Sequence, residues 1–462
     1  MLKVKNVADA VNCRTIKSKN VIYAAGNAAT PQVLLGQLAV DKSITNVDLF
    51  CILPLGNKLK QLFSKERCKE ITHRVIFNSE LTRKAVNEGW AKYHPMHLSE
   101  VPRYIGMGRG VNVVFISVAG PDNGGNYSLG TTVEALPSAI NSAKKSGGII
   151  IAERNAKMPF VPGTTIPEST IDYMIDTDYP LPISPIRQPD ETAKKIGEII
   201  AALYIKDGSG KKPGSTIQYG IGEVPEAVTD AILRKGVRDL AIHTELFSGA
   251  MRRLVQNGAV TNKWKKDINF SISSIFLAEN QAGYEWLHYN SSVQSRPSDY
   301  TNSIFEIAHQ PNMVTINSAI GVDLHGNIWA DSLDARHIYS GVGGQSDFIR
   351  GAQYSPGGLA IIAFKSTTKK GVSKIVDKSP GGITTTATPS DRVILVTEQG
   401  AFDPARLSLG ERAVGIAHLA APEVREQLLK KIDDDPSFHK PFYLGNRNIR
   451  GFIPYERIID KH

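Results

Sequence analysis

Cysteine is nearly missing from this chain: Cys13, Cys51 and Cys68 are all there is in 462 residues. Their spacing fits neither a metal-binding nor a redox motif, and so sparse and odd-numbered a set predicts a reducing compartment, the cytoplasm. Long apolar runs are lacking too. No stretch approaches the roughly 20 apolar residues of a bilayer span. The opening MLKVKNVADAVNC mixes charge among short apolar runs, without the apolar block and cleavage site of a secretory signal. No membrane partner is therefore expected. Nor is charge concentrated anywhere: the net charge of +9 is spread along the chain, unlike the basic runs that bind nucleic acid, so no nucleic-acid partner is expected. A small anionic ligand suits such a field better. The eleven histidines are scattered, with no His-x-x-x-His pair and no Cys/His set, so no metal site is expected.

What is present is an ordinary folding composition, 41% hydrophobic and 21% charged, long enough for two or three domains at roughly 100–200 residues each. β-Branched runs alternate with helical patterns almost from end to end, which predicts an α/β class with mainly parallel sheets. Strands are expected near Asn20–Ala24, Val111–Ser117, Gly148–Ala152, Ser215–Tyr219, Leu240–His243 and Leu359–Phe364, several of them apolar on both faces as buried parallel strands are. Ile196, Ile199, Ile200 and Leu203 form one helical stripe with Asp190 as its cap. A Gly-rich stretch, residues 206–215, follows as a boundary. Strand-Gly-x4-Pro-helix occurs twice, with Gly26 and Gly220, and Pro31 and Pro225, each 194 positions apart, a hint of duplicated halves. The expected division is an N-terminal α/β domain over 1–208, a C-terminal α/β domain over 209–432, and a tail over 433–462. No period organises that tail, which is expected to lie across a surface through Phe438, Phe442, Tyr443, Phe452 and Tyr455.

Three places carry possible chemistry. Glu245 follows the Leu240–His243 strand and precedes a helical pattern, at the strand end where open α/β sheets bind ligands. A glutamate there can act as base or nucleophile, or merely cap. Gly220-Ile221-Gly222 at a strand-to-helix turn leaves N–H groups uncovered for phosphate or an oxyanion, or is simply a tight turn. Gly341, Gly343 and Gly344, followed by Gln345 and the pair Asp347-Phe348, let the main chain approach a ligand closely. The strand-like Val314–Ser318 offers the carboxamide of Asn317. His243, beside Glu245, reads as a locally satisfied structural histidine.

HTELFSGA, INSAIGVDLHGNIWADS, SGVGGQSDFIRGA and VTEQGAFDPARLSLGERAVGIAHLAAPEVRE, in this order, resemble the acetyl-CoA hydrolase/transferase family, in particular its 4-hydroxybutyrate CoA-transferase branch. PDNGGNYSLGTTVEA extends the resemblance into the N-terminal half. It implies two similar α/β halves meeting at the active site, coenzyme A as substrate with no permanently bound cofactor, a short carboxylate as acceptor, and a homodimer. It also implies a ping-pong reaction in which Glu245 forms an acyl anhydride and then a glutamyl-CoA thioester. On the same resemblance the amide of Ile221 faces one oxyanion, Asn317 and the amides of Gly343 or Gly344 face the other, and Glu398 helps position groups near the site. Gly220, Gly222, Gly341 and Gln345 would line the CoA site. The sequence departs from the family at Ala401–Leu407, at Lys365 and in the PDNGGN loop, which leaves the acyl group open. Hydrolysis of an acyl-CoA, or CoA binding without catalysis, are the competing readings.

Overall fold

The computed structural model describes all residues except 108–109, 209, 211, 266–268, 439–448 and 461–462. Two parallel sheets organise the chain. The first has eight strands in the order Leu2–Lys3, Tyr173–Thr177, Ile149–Asn155, Val113–Val118, Val21–Ala24, Val47–Cys51, Ile71–Val75 and Lys92–Tyr93, every neighbouring pair parallel. The second runs Ala241–Ile242, Thr216–Tyr219, Met313–Asn317, Leu359–Ala363, Ile394–Thr397, Gly400–Phe402 and Phe452–Pro454, parallel except at its last two pairings. Val113–Val118 is buried along its whole length because helices cover both faces of the sheet, which explains its unbroken apolar run.

The halves share a reversal of strand order, though not its count. In the first, Val21–Ala24 is followed by Val47–Cys51, Ile71–Val75 and Lys92–Tyr93 on one side before the chain crosses to add Val113–Val118, Ile149–Asn155 and Tyr173–Thr177 on the other; in the second, Thr216–Tyr219 is followed by Ala241–Ile242 alone before the chain crosses to add Met313–Asn317, Leu359–Ala363 and Ile394–Thr397. Gly26 and Gly220 stand just beyond Val21–Ala24 and Thr216–Tyr219, at the switch point of each sheet, which gives the 194-residue repeat a structural meaning. At Gly26 the approach is close: a Cβ would overlap the carbonyl of Ile52. At Gly220 there is open space.

The helix Glu191–Leu203 forms on the expected stripe, with Asp190 accepting from the Ala193 N–H. The division expected at 208 assigns it to the first half, yet it packs with the second: Gly197 lies against the backbone of Ala227, on the helix Glu223–Arg234. The tail, as far as it is described, differs from the expected surface strap. Phe452–Pro454 extends the second sheet antiparallel to Gly400–Phe402. The following helix, Tyr455–Ile459, is tied to the second half by Tyr455 Oη donating to Glu198 at 2.8 Å. Three residues of strand are too few to show a period, so only the edge they satisfy reveals them. Phe442 and Tyr443 lie outside the described residues.

The halves dock through main-chain bonds. Phe276 N–H donates to the Thr131 carbonyl at 2.7 Å, Val133 N–H to the Ser274 carbonyl at 2.9 Å, and Leu98 N–H to the Gly343 carbonyl at 3.0 Å. One apolar core runs through both, from Tyr23 and Val114 to Phe276 and Val314. Among the described residues no helix is long and apolar enough to cross a membrane.

Candidate active site

The C-terminal ends of the second sheet's parallel strands form a row facing the first half. Glu245 follows the strand Ala241–Ile242, Ile221 the strand Thr216–Tyr219, Asn317 ends the next strand, and Glu398 follows Ile394–Thr397. Glu245 is held hard by its main chain. Its carbonyl accepts from Ile275 N–H at 2.9 Å, Ser274 N–H at 3.2 Å, Ser273 Oγ at 2.8 Å and Ser274 Oγ at 3.1 Å. The partly exposed side chain points at the glycine cluster. Asn302 Nδ2 donates to Glu245 Oε2 at 2.8 Å, and the Gly344 main chain lies against the same carboxylate. Gly344 caps the helix Gln345–Tyr354, so the carboxylate also sits at the positive end of a helix. Burial lifts the Glu245 carboxyl above its ordinary range, against the opposing pull of the Asn302 bond and the Gly344 amide.

The glycine cluster is built for close approach. A Cβ at Gly344 would overlap Glu245 Oε2 and Asn302 Nδ2. Gly341 and Gly343 serve the other half: Gly341 lies against the Ile76 carbonyl, and Gly343, with φ of 60°, bridges to His97. Gln345 leaves its Nε2 buried without a partner in the described structure, a free donor in the site wall.

The other expected residues are placed less directly. Asn317 exchanges carboxamide bonds with Gln218, 3.2 Å each way, and makes no bond to Glu245. Glu398 stands four strands along the row from Glu245, roughly 19 Å at about 4.8 Å per strand. Its carboxylate is taken by Ser366, from N–H at 3.0 Å and from Oγ. Gly220, the exposed Ile221 and Gly222, with φ of 125°, form a turn whose last two residues line a pocket. Arg187, Ser248 and Gly249 line the same pocket. His243 is fully buried, its Nε2 2.9 Å from the Thr301 carbonyl, and burial pushes its pKa down to about 3. Among the described residues no group of three or more His, Cys, Asp or Glu is placed to hold a metal.

Sequence reasoning missed most of the shell around Glu245. Asn302 lies on no motif. Asp347, noted in the sequence only as following the glycine cluster, is bonded by Ser99 of the first half, Oγ at 2.8 Å and N–H at 3.2 Å, and burial lifts its pKa to about 7. Glu134, in the GTTVEA segment, is buried beside Glu245 with its pKa pushed up to about 8, Asn27 Nδ2 donating to it at 3.2 Å. The signal available was a tandem of short polar motifs in both halves; only the docking of the halves brings them onto one carboxylate.

Residues 2–185 match the acetyl-CoA hydrolase/transferase N-terminal domain and residues 280–432 the C-terminal domain of the same name. The chain is 37% identical to the 4-hydroxybutyrate coenzyme A transferase of Clostridium kluyveri, over 79% of this chain and 82% of that protein. It is 34% identical to a succinyl-CoA:acetate/propanoyl-CoA:succinate CoA transferase of Fasciola hepatica, over 89% of this chain and 84% of that one. The crystal structure of RipA from Yersinia pestis superposes with a TM-score of 0.84 at 29% identity, covering 94% of this chain and 97% of that chain. Two matching halves, docked so that the strand-end glutamate of one meets the glycine cluster against the other, make this chain a member of the acetyl-CoA hydrolase/transferase family of enzymes.

Proposed function

We propose that the protein transfers coenzyme A from an acyl-CoA to a short carboxylate, 4-hydroxybutyrate or a similar acid, with Glu245 as the covalent carrier. The observation that carries this reading is the hold on Glu245: clamped main chain, one carboxylate oxygen engaged by Asn302, and the Gly344 amide beside it. A carboxylate is a weak nucleophile and a good leaving group, so covalent transfer through it depends on preorganised donors at the oxyanions. Glu245 attacks the thioester carbon and expels CoA thiolate, leaving a mixed anhydride. The thiolate attacks the glutamyl carbon and releases the first carboxylate, leaving glutamyl-CoA. The incoming carboxylate reverses both steps and leaves as the new acyl-CoA. The pocket beside Ile221 and Gly222, with the cation of Arg187 in its wall, suits an anionic ligand such as CoA. A homodimer in the cytoplasm belongs to the same reading and rests on the family resemblance and the sparse cysteines.

The partial exposure of Glu245 favours one second reading, hydrolysis, in which water resolves the intermediate. Intact mass after mixing with acetyl-CoA or succinyl-CoA, followed by borohydride or hydroxylamine trapping and peptide mapping, separates the two. An adduct at Glu245 that awaits a carboxylate supports transfer; CoA released without any acceptor supports hydrolysis. Glu245→Ala is expected to fold and lack transferase activity, and Glu245→Asp, one methylene short, to lose most of it. Wild-type turnover in Glu245→Ala would overturn the mechanism.

A further inference from the structure

Lys365 stands in the row of strand ends, two residues beyond the strand Leu359–Ala363 and between Asn317 and Glu398. It is one of the positions at which the sequence departs from the family, and the transfer chemistry by itself gives it no task. Its Nζ donates to Asp190 Oδ2 at 2.6 Å and to Glu223 Oε2. Those carboxylates belong to separate elements. Asp190 ends residues 178–190, a segment without helix or strand, and its other oxygen caps the helix Glu191–Leu203 through a 2.9 Å bond from Ala193 N–H. Glu223 opens the helix Glu223–Arg234, directly after the Gly220–Gly222 turn. One ammonium therefore joins a strand end, the segment that links the halves, and the turn.

The turn has few other holds. Ile221 is exposed, its N–H has no hydrogen-bond partner among the described residues, and no side chain caps the helix that follows Gly222. Open space surrounds the positions a Cβ would take at Gly220 and Gly222. The Glu223 carboxylate on Lys365 is thus a side-chain tether two residues from a free amide. When Glu245 attacks a thioester carbon, the carbonyl electron pair moves onto its oxygen, and an uncommitted N–H in the pocket wall is a donor ready for that charge. The opposite wall depends on the same ammonium: Ser184, Pro185 and Arg187, from the segment that Asp190 ends, line the pocket with Ile221 and Gly222. Ion pairs this exposed, 23% for the lysine side chain and 25% for that of Glu223, add little to folding. Their effect is on placement, where an error of about 1 Å costs up to 10²-fold in rate.

We propose that Lys365 is a positioning residue: its ammonium clasps Asp190 and Glu223 together and so holds the Ile221 amide where the thioester oxyanion forms. The inference rests on the covalent reading of Glu245. Steady-state kcat and KM for acyl-CoA, with rapid-quench mass spectrometry of the CoA adduct, test it in the full-length chain. Lys365→Met and Glu223→Gln are each expected to lower kcat and the rate of adduct formation about tenfold with KM nearly unchanged. Their double variant is expected to fall no further, because either change opens the same clasp. Lys365→Arg, whose guanidinium can pair with both carboxylates, is expected to keep most of the activity. Asp190→Asn, which still caps its helix, is expected to lower kcat in the same direction. Thermal unfolding verifies that the variants are folded. A folded Lys365→Met with wild-type kcat, a loss confined to KM, or losses that multiply in the double variant overturns the clasp, and an unaltered kcat in Asp190→Asn overturns the part of the linking segment. A KM that rises in Lys365→Met and falls in Glu223→Gln also overturns it, since opposite signs belong to a lysine that binds a CoA phosphate directly in competition with the glutamate. Failure of wild type to form any CoA adduct overturns the covalent reading itself, and is distinct from an adduct that forms equally fast in wild type and Lys365→Met.

Discussion

Glu134 and Asn27 are two buried residues that both hold left-handed backbone angles, φ of 40° and 49°, and bond to each other through their side chains. Asparagine tolerates that region and glutamate does so at a cost, so the docked halves must impose it. The same burial sets a pH dependence. Glu134 keeps its proton to about pH 8, and Glu153 and Asp347 to about pH 7, while in the unfolded chain such groups ionise near pH 4. Below about pH 6.5 the buried His73, His243 and His418, with pKa values pushed down to about 4, 3 and 4, act in the opposite sense; above it the three acids set the sign, the native state binds more protons than the unfolded one, and stability falls as pH rises to about 8. Glu134→Gln keeps an acceptor for Asn27 without the ionisation. Melting temperatures from pH 7 to 8.5 should show wild type losing stability and this variant losing less, with the variant the more stable at pH 8. A wild-type melting temperature that rises across that range would contradict the assignment. None of this was legible from the residue itself: Glu134 stood in a segment read only as part of a resemblance, and neither burial nor backbone strain leaves a period.

Among the elements, those legible in advance were the ones whose environment is uniform along their length. Parallel strands covered on both faces read as apolar runs, and the helix Glu191–Leu203 shows its stripe because one side meets Ala227 and the other meets water. The short pairs that position Glu245, Leu246–Ser248 with Ile275–Leu277 and Ser271–Ser273 with Val293–Ser295, were not expected, since three residues carry no detectable alternation. The turn at Gly341–Gly344, singled out in the sequence, divides its glycines between the facing half and the Glu245 carboxylate. That division gives a sharp prediction. Gly344 has an ordinary φ of −98°, so alanine there is not strained by its backbone and acts only through the atoms it meets. Gly344→Ala should displace the Glu245 carboxylate and abolish turnover, with a smaller effect on folding; kcat beside a thermal melt checks it. Turnover near wild type would mean that Glu245 does not work in the position described.

At the scale of the whole molecule, each half is one continuous length of chain. Every strand of the first sheet lies before residue 178 and every strand of the second after 215, with the helix Glu191–Leu203 already packed on the second. Backbone passes between the halves once, through residues 178–190, which contain no helix or strand. The shared core and the cross-bonds from Thr131, Val133, Ser99 and Leu98 hold them together independently of that link. Co-expressed fragments 1–185 and 186–462 should therefore co-purify and turn over substrate together, the second alone being inactive although it carries Glu245. Pull-down and an activity titration of one fragment against the other would measure it, and activity in 186–462 by itself would refute it. Peptide continuity at residue 186 is on this view a matter of stoichiometry rather than of architecture: it guarantees one Ser99 for each Glu245, and a pair of unlinked genes supplying equal amounts of the two pieces would assemble the same catalytic surface.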